Sequence, residues 1–281
     1  MLNSKHKNIK KMMKLSKKLR DMKNFKEEVK ILQNVLRIDP KHIDALWSLG
    51  NAYLKLNCIS ESINSFKSCL KLNSEYSFAY HGLAVSYYHL HRYNDTIWAL
   101  NQAKKIDPLF VEEACSMWAD SYSSIGQEED ALELLKKIIK RWPNHKEAYG
   151  KMGFSYFGLK KFNRAILAWE KAIEMGLTDN ACYKILGFTY IILKRYKDAI
   201  LRLKKALKID SNDADSHFFI GLAHGYEGRL EDEIICCKKA IELDSDYINA
   251  YNRLGCIYQK LGNKEEAEKY FAKGKALSLE E

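Results

Sequence analysis

One interval constrains the fold of this chain more than any other feature. Gly153, Gly187, Gly221 and Gly255 are each 34 residues apart, and a Tyr or His follows three places after each of them. A catalytic loop is not copied at constant spacing, whereas a structural unit is, and a period of about 34 residues is typical of stacked helix pairs. The sequence therefore predicts a tandem array of small helical units.

The same period divides the whole chain, and positions below are counted from the first residue of each copy. We predict a basic N-terminal segment and a degenerate first copy, 9–42, within residues 1–42. Seven clearer copies follow: 43–76, 77–110, 112–145, 146–179, 180–213, 214–247 and 248–281, with Val111 as a one-residue insertion. All three prolines, Pro40, Pro108 and Pro143, fall at position 32 of their copies. Proline ends helices, so its recurrence at one position supports these boundaries.

Each copy has the pattern of two amphipathic helices. In residues 180–213, Gly187 and Tyr190 lie on one stripe of a first helix, and Ala199 and Leu203 lie at helical spacing on a second. The small residues let two helix backbones approach closely, and the large ones fill the space beside them. No period-two alternation of apolar residues occurs, so no β-sheet is expected.

This pattern resembles the tetratricopeptide repeat over nearly the whole length of the chain. In residues 146–179 the matching residues are Tyr149, Met152, Gly153, Tyr156, Ala165, Trp169 and Ala172. The resemblance implies an all-α fold, a right-handed superhelical solenoid of antiparallel helix pairs. Because each unit of a solenoid buries its apolar face only against its neighbours, we expect no deep catalytic pocket.

Three copies depart from the pattern of the family. Trp118 and Ala119 replace Leu-Gly in residues 112–145, and acidic residues replace the small Ala at position 20 in two other copies, Glu28 and Glu233. An unpaired buried carboxylate is costly, so Glu233 is expected to reach either solvent or a partner.

In the family that the chain resembles, positions 2, 5, 9, 12 and 13 of the first helices line a concave groove. Applied to this sequence, that rule predicts these partner-binding residues: Trp47, Asn51, His81, Tyr88, Phe154, Phe157, Lys184, Phe188, Ile191, Phe218, Leu222 and Tyr226. The middle and late parts of this set are apolar and aromatic. They indicate a protein or peptide partner, an amphipathic helix or an extended segment, laid in an apolar groove.

We name Phe188, Phe218 and Tyr226 as candidate anchors for that partner. The alternative is that the aromatic residues pack against the adjacent repeat and are not available to a ligand. Both readings stay open at the level of sequence.

The basic character of the chain is local. Residues 1–26 contain ten Lys or Arg against a single acid, Asp21, whereas the remainder contains 36 basic and 35 acidic residues. One interpretation is a basic amphipathic helix that contacts nucleic acid or an anionic membrane. The other is the first helix of a degenerate repeat with a lysine-rich solvent face.

No motif indicates catalysis or a cofactor. Gly-rich phosphate loops, nucleophile elbows and HExxH are absent from the sequence, and no histidine cluster has zinc-ligand spacing, so we predict neither enzyme activity, cofactor nor metal. The seven cysteines show no paired spacing, which favours a reducing cytoplasmic compartment. The basic N-terminus lacks the apolar segment of a secretory signal.

The sequence thus predicts a non-catalytic scaffold or adaptor. Two alternatives remain, a chaperone that shields a hydrophobic client segment and an accessory protein recruited to nucleic acid or membrane by the basic N-terminal helix. Self-association through the C-terminal repeat is a further hypothesis, because no polar capping helix follows the last copy in this sequence.

Overall fold

The computed structural model describes residues 2–108 and 111–279, and within them all regular structure is helical. The sixteen helices of these residues are α1 (Leu2–Asp21), α2 (Phe25–Ile38), α3 (Ile43–Lys55), α4 (Ile59–Leu72), α5 (Ser77–His89), α6 (Tyr93–Ile106), α7 (Val111–Ser124), α8 (Glu128–Arg141), α9 (Lys146–Gly158), α10 (Phe162–Glu174), α11 (Asn180–Ile192), α12 (Tyr196–Ile209), α13 (Ala214–Tyr226), α14 (Leu230–Leu243), α15 (Ile248–Lys260) and α16 (Lys264–Leu277). The predicted all-α fold of antiparallel helix pairs is confirmed.

The chain divides into two compact units, unit 1 (Met1–Pro143) with α1 to α8 and unit 2 (Asn144–Glu281) with α9 to α16. Within unit 1, the second helix of each pair packs on the first helix of the next, as α4 does on α5. Unit 2 repeats this arrangement, as α12 does on α13. Consecutive first helices also touch, α3 with α5 and α11 with α13.

Three of the glycines of the opening pattern, Gly153, Gly187 and Gly255, make room for large side chains of the second helix. A Cβ at Gly187 would lie 2.6 Å from Leu203 Cγ, and one at Gly255 would lie 2.7 Å from the ring of Phe271. Leu203 is completely buried at this crossing. In these pairs, Gly at position 8 leaves room for the large residue at position 24, and the same close approach recurs once in each 34-residue copy that has this glycine.

A left-handed turn joins the two helices of every pair in the described chain. Position 15 has a positive φ in all eight pairs, but it is Gly only at Gly126, Gly228 and Gly262; the other five are Lys23, Asn57, His91, Lys160 and Lys194. The N–H of the next residue donates to the carbonyl of position 11, as Arg195 does to Tyr190 at 2.8 Å. This hydrogen bond is typical of the Schellman motif that ends a helix.

The departures from the repeat pattern are accommodated inside the units. Trp118 and Ala119 are both buried. Glu28 is buried and accepts hydrogen bonds from Ser16 Oγ at 3.2 Å and Arg20 Nε at 2.8 Å. Glu233 is buried as well, and it finds its partner in Arg253 rather than in solvent.

Candidate functional site

A cleft in unit 1 brings together three of the predicted partner-binding residues. It has a volume of about 230 Å³ and lies between the first helices α3 and α5. Its lining residues are Trp47, Asn51, Leu54, Lys55, Phe78, His81, Gly82, Val85 and His89. The predicted residues among them are Trp47, Asn51 and His81.

Two aromatic rings form the apolar wall of this cleft. The ring centroids of Trp47 and Phe78 are 6.1 Å apart in an edge-to-face arrangement. The Arg20 guanidinium lies 5.8 Å from the centroid of Trp47. Phe78 is 50% exposed, which is unusual for a phenylalanine, and part of its side chain lies on the surface of the cleft.

A polar group lies beside this wall. The Asn51 side-chain amide donates to the Trp47 carbonyl at 3.1 Å, one turn earlier in α3. This bond holds the amide in place and leaves its side-chain oxygen as an acceptor. An apolar wall with a fixed polar group beside it suits a peptide side chain and its adjoining backbone.

Tyr88 lies on the same helix as part of the cleft but contacts the next pair. Its hydroxyl donates to Asp120 Oδ2 at 3.5 Å, and its ring meets Tyr93 at 5.9 Å. Burial, followed by the negative charge of Asp120, raises the pKa of the Tyr88 hydroxyl. Tyr88 therefore links α5 to α7, and it is not among the residues that line the cleft.

In unit 2, the predicted residues Phe157, Phe188 and Phe218 each contact another aromatic ring. Phe157 lies 6.3 Å from Phe188, and Phe188 is stacked on Phe219 at 4.8 Å. Phe218 meets Tyr247 edge to face at 5.3 Å. These contacts join successive first helices, so the rings contribute to packing between helix pairs as well as to the surface.

Two other predicted residues of unit 2 have little exposed side-chain surface. Phe154 meets Trp169 edge to face at 5.3 Å and is half-buried. Ile191 is buried and offers little surface to a ligand. Phe218, named above as an anchor, is buried in the same way.

Tyr226 is the most exposed of the three candidate anchors. Its ring is stacked on Tyr196 with a centroid distance of 5.4 Å and an interplanar angle of 17°. The Arg253 guanidinium lies 5.7 Å from the same ring. More than half of the side chain remains exposed, and Leu222, one turn earlier in α13, is half-buried.

Lys184 is held in an ion-pair network inside unit 2. Its ammonium lies 3.0 Å from Asp213 Oδ1 and 2.9 Å from Asp215 Oδ2, and the Tyr247 hydroxyl donates to Asp215 at 2.7 Å. Burial lowers the pKa of Lys184, but the hydrogen bonds to Asp215 and Asp213 outweigh it, and the net direction is upward. The lysine stays charged and already has two carboxylate partners.

Two residues that line the unit 1 cleft, Phe78 and His89, were not predicted as partner-binding residues. Both occupy positions of the groove rule, 2 and 13 of residues 77–110, so the signal was present in the sequence. Phe219 stands at position 6, outside that rule, and only its stacking on Phe188 shows its contribution. Among the described residues, no three His, Cys, Asp or Glu side chains form a group that could hold a metal ion.

Family models support the resemblance directly. Models described as tetratricopeptide repeat or TPR repeat match residues 43–76, 116–145, 187–228, 214–247 and 236–269, together slightly more than half of the chain. No curated protein matches the sequence significantly. Within the described residues, no helix has the length and apolarity needed to cross a bilayer.

Several solved structures share the fold. A crystal structure of MamA is 28% identical over 58% of this chain and 95% of that one, with a TM-score of 0.54. The C-terminal part of a TPR repeat-containing protein from Cytophaga hutchinsonii is 19% identical over 82% and 95%, with a TM-score of 0.66. YrrB, described as a TPR protein with an unusual peptide-binding site, is 20% identical over 76% and 93%, with a TM-score of 0.51. Taken with the repeated helix pairs, these matches show that the chain belongs to the tetratricopeptide repeat family.

Proposed function

We propose that this protein is a non-catalytic scaffold or adaptor that binds an extended segment of a protein partner. The observation that carries the proposal is the unit 1 cleft, whose walls come from groove positions of two consecutive first helices. Its volume of about 230 Å³ is below the roughly 300–1,000 Å³ of small-molecule sites. A cleft of this size suits one or two side chains of a peptide better than a cofactor or a metabolite.

The lining residues favour a particular kind of segment. An apolar or aromatic side chain would lie against Trp47 and Phe78, and the Asn51 side-chain oxygen would accept a backbone N–H. Lys55 is exposed at the end of α3 and would favour an acidic residue next to the apolar one. We therefore expect the partner segment to combine an apolar anchor with a neighbouring carboxylate.

Unit 2 would contribute a second, shallower contact. Tyr226 and Leu222 keep exposed surface at groove positions, whereas Phe218 and Ile191 are buried. The partner would therefore meet Tyr226 as the main anchor of this unit. We further propose that the protein acts in the reducing cytoplasm, in agreement with the seven cysteines, all of which are thiols.

Photo-crosslinking tests the cleft directly. A photoreactive phenylalanine at Val85, within the cleft, should capture a polypeptide partner from native lysate, and the same residue at Lys67, exposed on α4, should not. Phe78→Ser should weaken the purified interaction about tenfold or more, as expected for an anchor that contributes 1–2 kcal/mol.

The control is Trp98→Ser, because Trp98 on α6 is as exposed as Phe78, 49% against 50%, but does not line the cleft. Equal loss of binding in the two variants would mean that the cleft is not the binding site. A second pair of variants, Tyr226→Ser and Phe188→Asp, asks whether unit 2 contributes.

Shielding of a hydrophobic client segment is the second candidate function. It is favoured by apolar side chains that stay exposed at groove positions, Phe78 in unit 1 and Ile192 and Tyr226 in unit 2. A chaperone should suppress the aggregation of an unrelated, thermally unfolded protein. A scaffold should bind its partner and leave that aggregation unchanged.

A further inference from the structure

Helix α1 is anchored on unit 1 by one face. Ile9 and Ser16 are buried, and Met12 and Met13 pack against the cluster formed by α2 and α3. Arg20, at the end of the helix, pairs with the buried Glu28 at 2.7 Å. These contacts fix the rotation of α1 about its own axis, so its opposite face is a stable feature of the surface.

The opposite face is almost entirely lysine. The lysines exposed on this face are Lys7, Lys10, Lys11, Lys14, Lys17 and Lys18, and Asp21 is the one acid of this face among the described residues. Four of them, Lys7, Lys11, Lys14 and Lys18, follow the alternating four- and three-residue spacing of a single helix stripe. None of the six has an ion-pair partner in the described part of the chain, whereas exposed lysines elsewhere, such as Lys171 and Lys239, pair with a glutamate.

Two apolar side chains border this lysine face. Leu15 lies one turn after Lys11 and is 42% exposed, and Met22 directly follows the helix and is 65% exposed. The described residues of α1 include no Phe, Tyr or Trp, and the single arginine, Arg20, is already engaged with Glu28. Lysines can contact phosphates of either nucleic acid or lipid, but the exposed Leu15 and Met22 beside them, with no Phe, Tyr or Trp to stack on bases, favour lipid.

We propose that α1 lies flat on an anionic lipid bilayer, with its lysines at the headgroups and Leu15 and Met22 entering the interface. The stripe from Lys7 to Lys18 is about 16 Å long at about 1.5 Å per residue, and it lies along one straight helix, as contact with a plane requires. Each lysine near an anionic bilayer increases binding about fivefold. This surface lies on the outer side of α1, and the proposal does not depend on the groove.

Sedimentation with vesicles tests the proposal on the full chain. Vesicles with about 30% phosphatidylserine in phosphatidylcholine should bind the protein at about 0.1 M salt, and pure phosphatidylcholine should not. Replacing Lys7, Lys11, Lys14 and Lys18 with Gln should weaken binding at least a hundredfold. The matched control replaces four exposed lysines of α12, Lys197, Lys204, Lys205 and Lys208, and should bind as the wild type does.

A second variant distinguishes lipid from other polyanions. Leu15→Gln with Met22→Gln should weaken vesicle binding severalfold and leave any binding to a short DNA duplex unchanged. The proposal is overturned if the wild type ignores the anionic vesicles, if the α12 variant loses as much binding as the α1 variant, or if the duplex binds more tightly than the vesicles at the same salt. Circular dichroism at the melting transition checks that all variants remain folded, as substitutions at exposed lysines should allow.

Discussion

Glu233 provides the sharpest test of the packing of unit 2. Its side chain is 0% exposed, at the position where the pair α11–α12 has Ala199. Arg253, on the following first helix, donates from Nε to Glu233 Oε1 and is itself 25% exposed. The other carboxylate oxygen of Glu233 has no hydrogen-bond partner among the described residues. Among the described residues, Arg253 is therefore the one cation that forms an ion pair with this buried carboxylate.

Removing the arginine should cost far more than removing the carboxylate. Arg253→Met leaves a completely buried charge without its partner, and such a change typically costs about 3–5 kcal/mol. Glu233→Ala leaves Arg253, which is one-quarter exposed and can bond to water, so we expect a loss of about 1 kcal/mol or less. The double variant should resemble Glu233→Ala alone, so the coupling energy should equal the loss caused by Arg253→Met, about 3–5 kcal/mol.

Urea unfolding, monitored by circular dichroism, measures the free energy of unfolding of the two single variants and of the double variant. Repeat arrays can unfold locally, so hydrogen exchange of the α14 and α15 amides should accompany it and show the same order of variants. If Arg253→Met costs less than about 1 kcal/mol, or if the two single losses simply add, the buried pair does not stabilise this region as argued.

Substitution of Gly225 tests the same packing, because its effect on stability should change sign when Glu233 is removed. A Cβ at Gly225 would overlap with the carboxylate of Glu233. Gly225→Ala should therefore destabilise the wild type, although alanine favours a helix by about 1 kcal/mol over glycine. In the Glu233→Ala background the overlap is gone, and the same substitution should stabilise the protein by up to about that amount.

Three further predictions follow from single residues. Lys194 has a φ of +59°, a conformation that glycine adopts without strain, so Lys194→Gly should raise the free energy of unfolding by about 0.5–1 kcal/mol. Lys204→Gly, inside α12, should lower it by about 1 kcal/mol, and a lower free energy of unfolding in both variants would contradict the strain at Lys194. Burial and then the charge of Arg229 lower the pKa of His224 below its ordinary value, so the unfolded chain takes up a proton more readily than the folded one. Stability should be complete well above the ordinary histidine pKa of about 6.5 and should fall as the pH drops below it, and His224→Tyr should flatten that profile in pH-dependent thermal melts. Cys256 is exposed, whereas burial raises the pKa of the Cys237 thiol to about 12. A thiol reagent should therefore modify Cys256 in the native protein and Cys237 only after unfolding, and labelling of Cys237 in the native protein would show that α14 opens locally.

The all-helical architecture could be predicted because the residue patterns that indicate it lie within single repeats. A glycine at position 8 admits a large residue at position 24, as at Gly187 and Leu203, because both lie on the facing surfaces of one helix pair. The prolines mark the ends of second helices for the same local reason. Such rules depend on residues within one repeat, so they can be applied to the sequence alone.

The sequence predicted which positions belong to the groove, but not which of their side chains are available to a partner. Lys184 and Phe188 stand at groove positions, yet one is paired with Asp213 and Asp215 and the other is stacked on Phe219. Asp215 and Phe219 belong to the next repeat, and Asp213 is the N-cap residue of its first helix, α13, about 30 residues away in sequence. A positional rule describes one helix and therefore cannot tell which side chains a neighbouring pair will cover.

The sequence by itself determined the all-helical repeat, its 34-residue period and the helix faces that carry apolar residues, because each of these follows from contacts within one repeat. The tertiary structure alone decided that Glu233 is neutralised by Arg253, that Lys194 takes a left-handed conformation without being glycine, and that the lysines of α1 lie opposite its buried face. These outcomes depend on what a neighbouring helix places against each residue, and the free energy of such contacts is decided only when the helices pack.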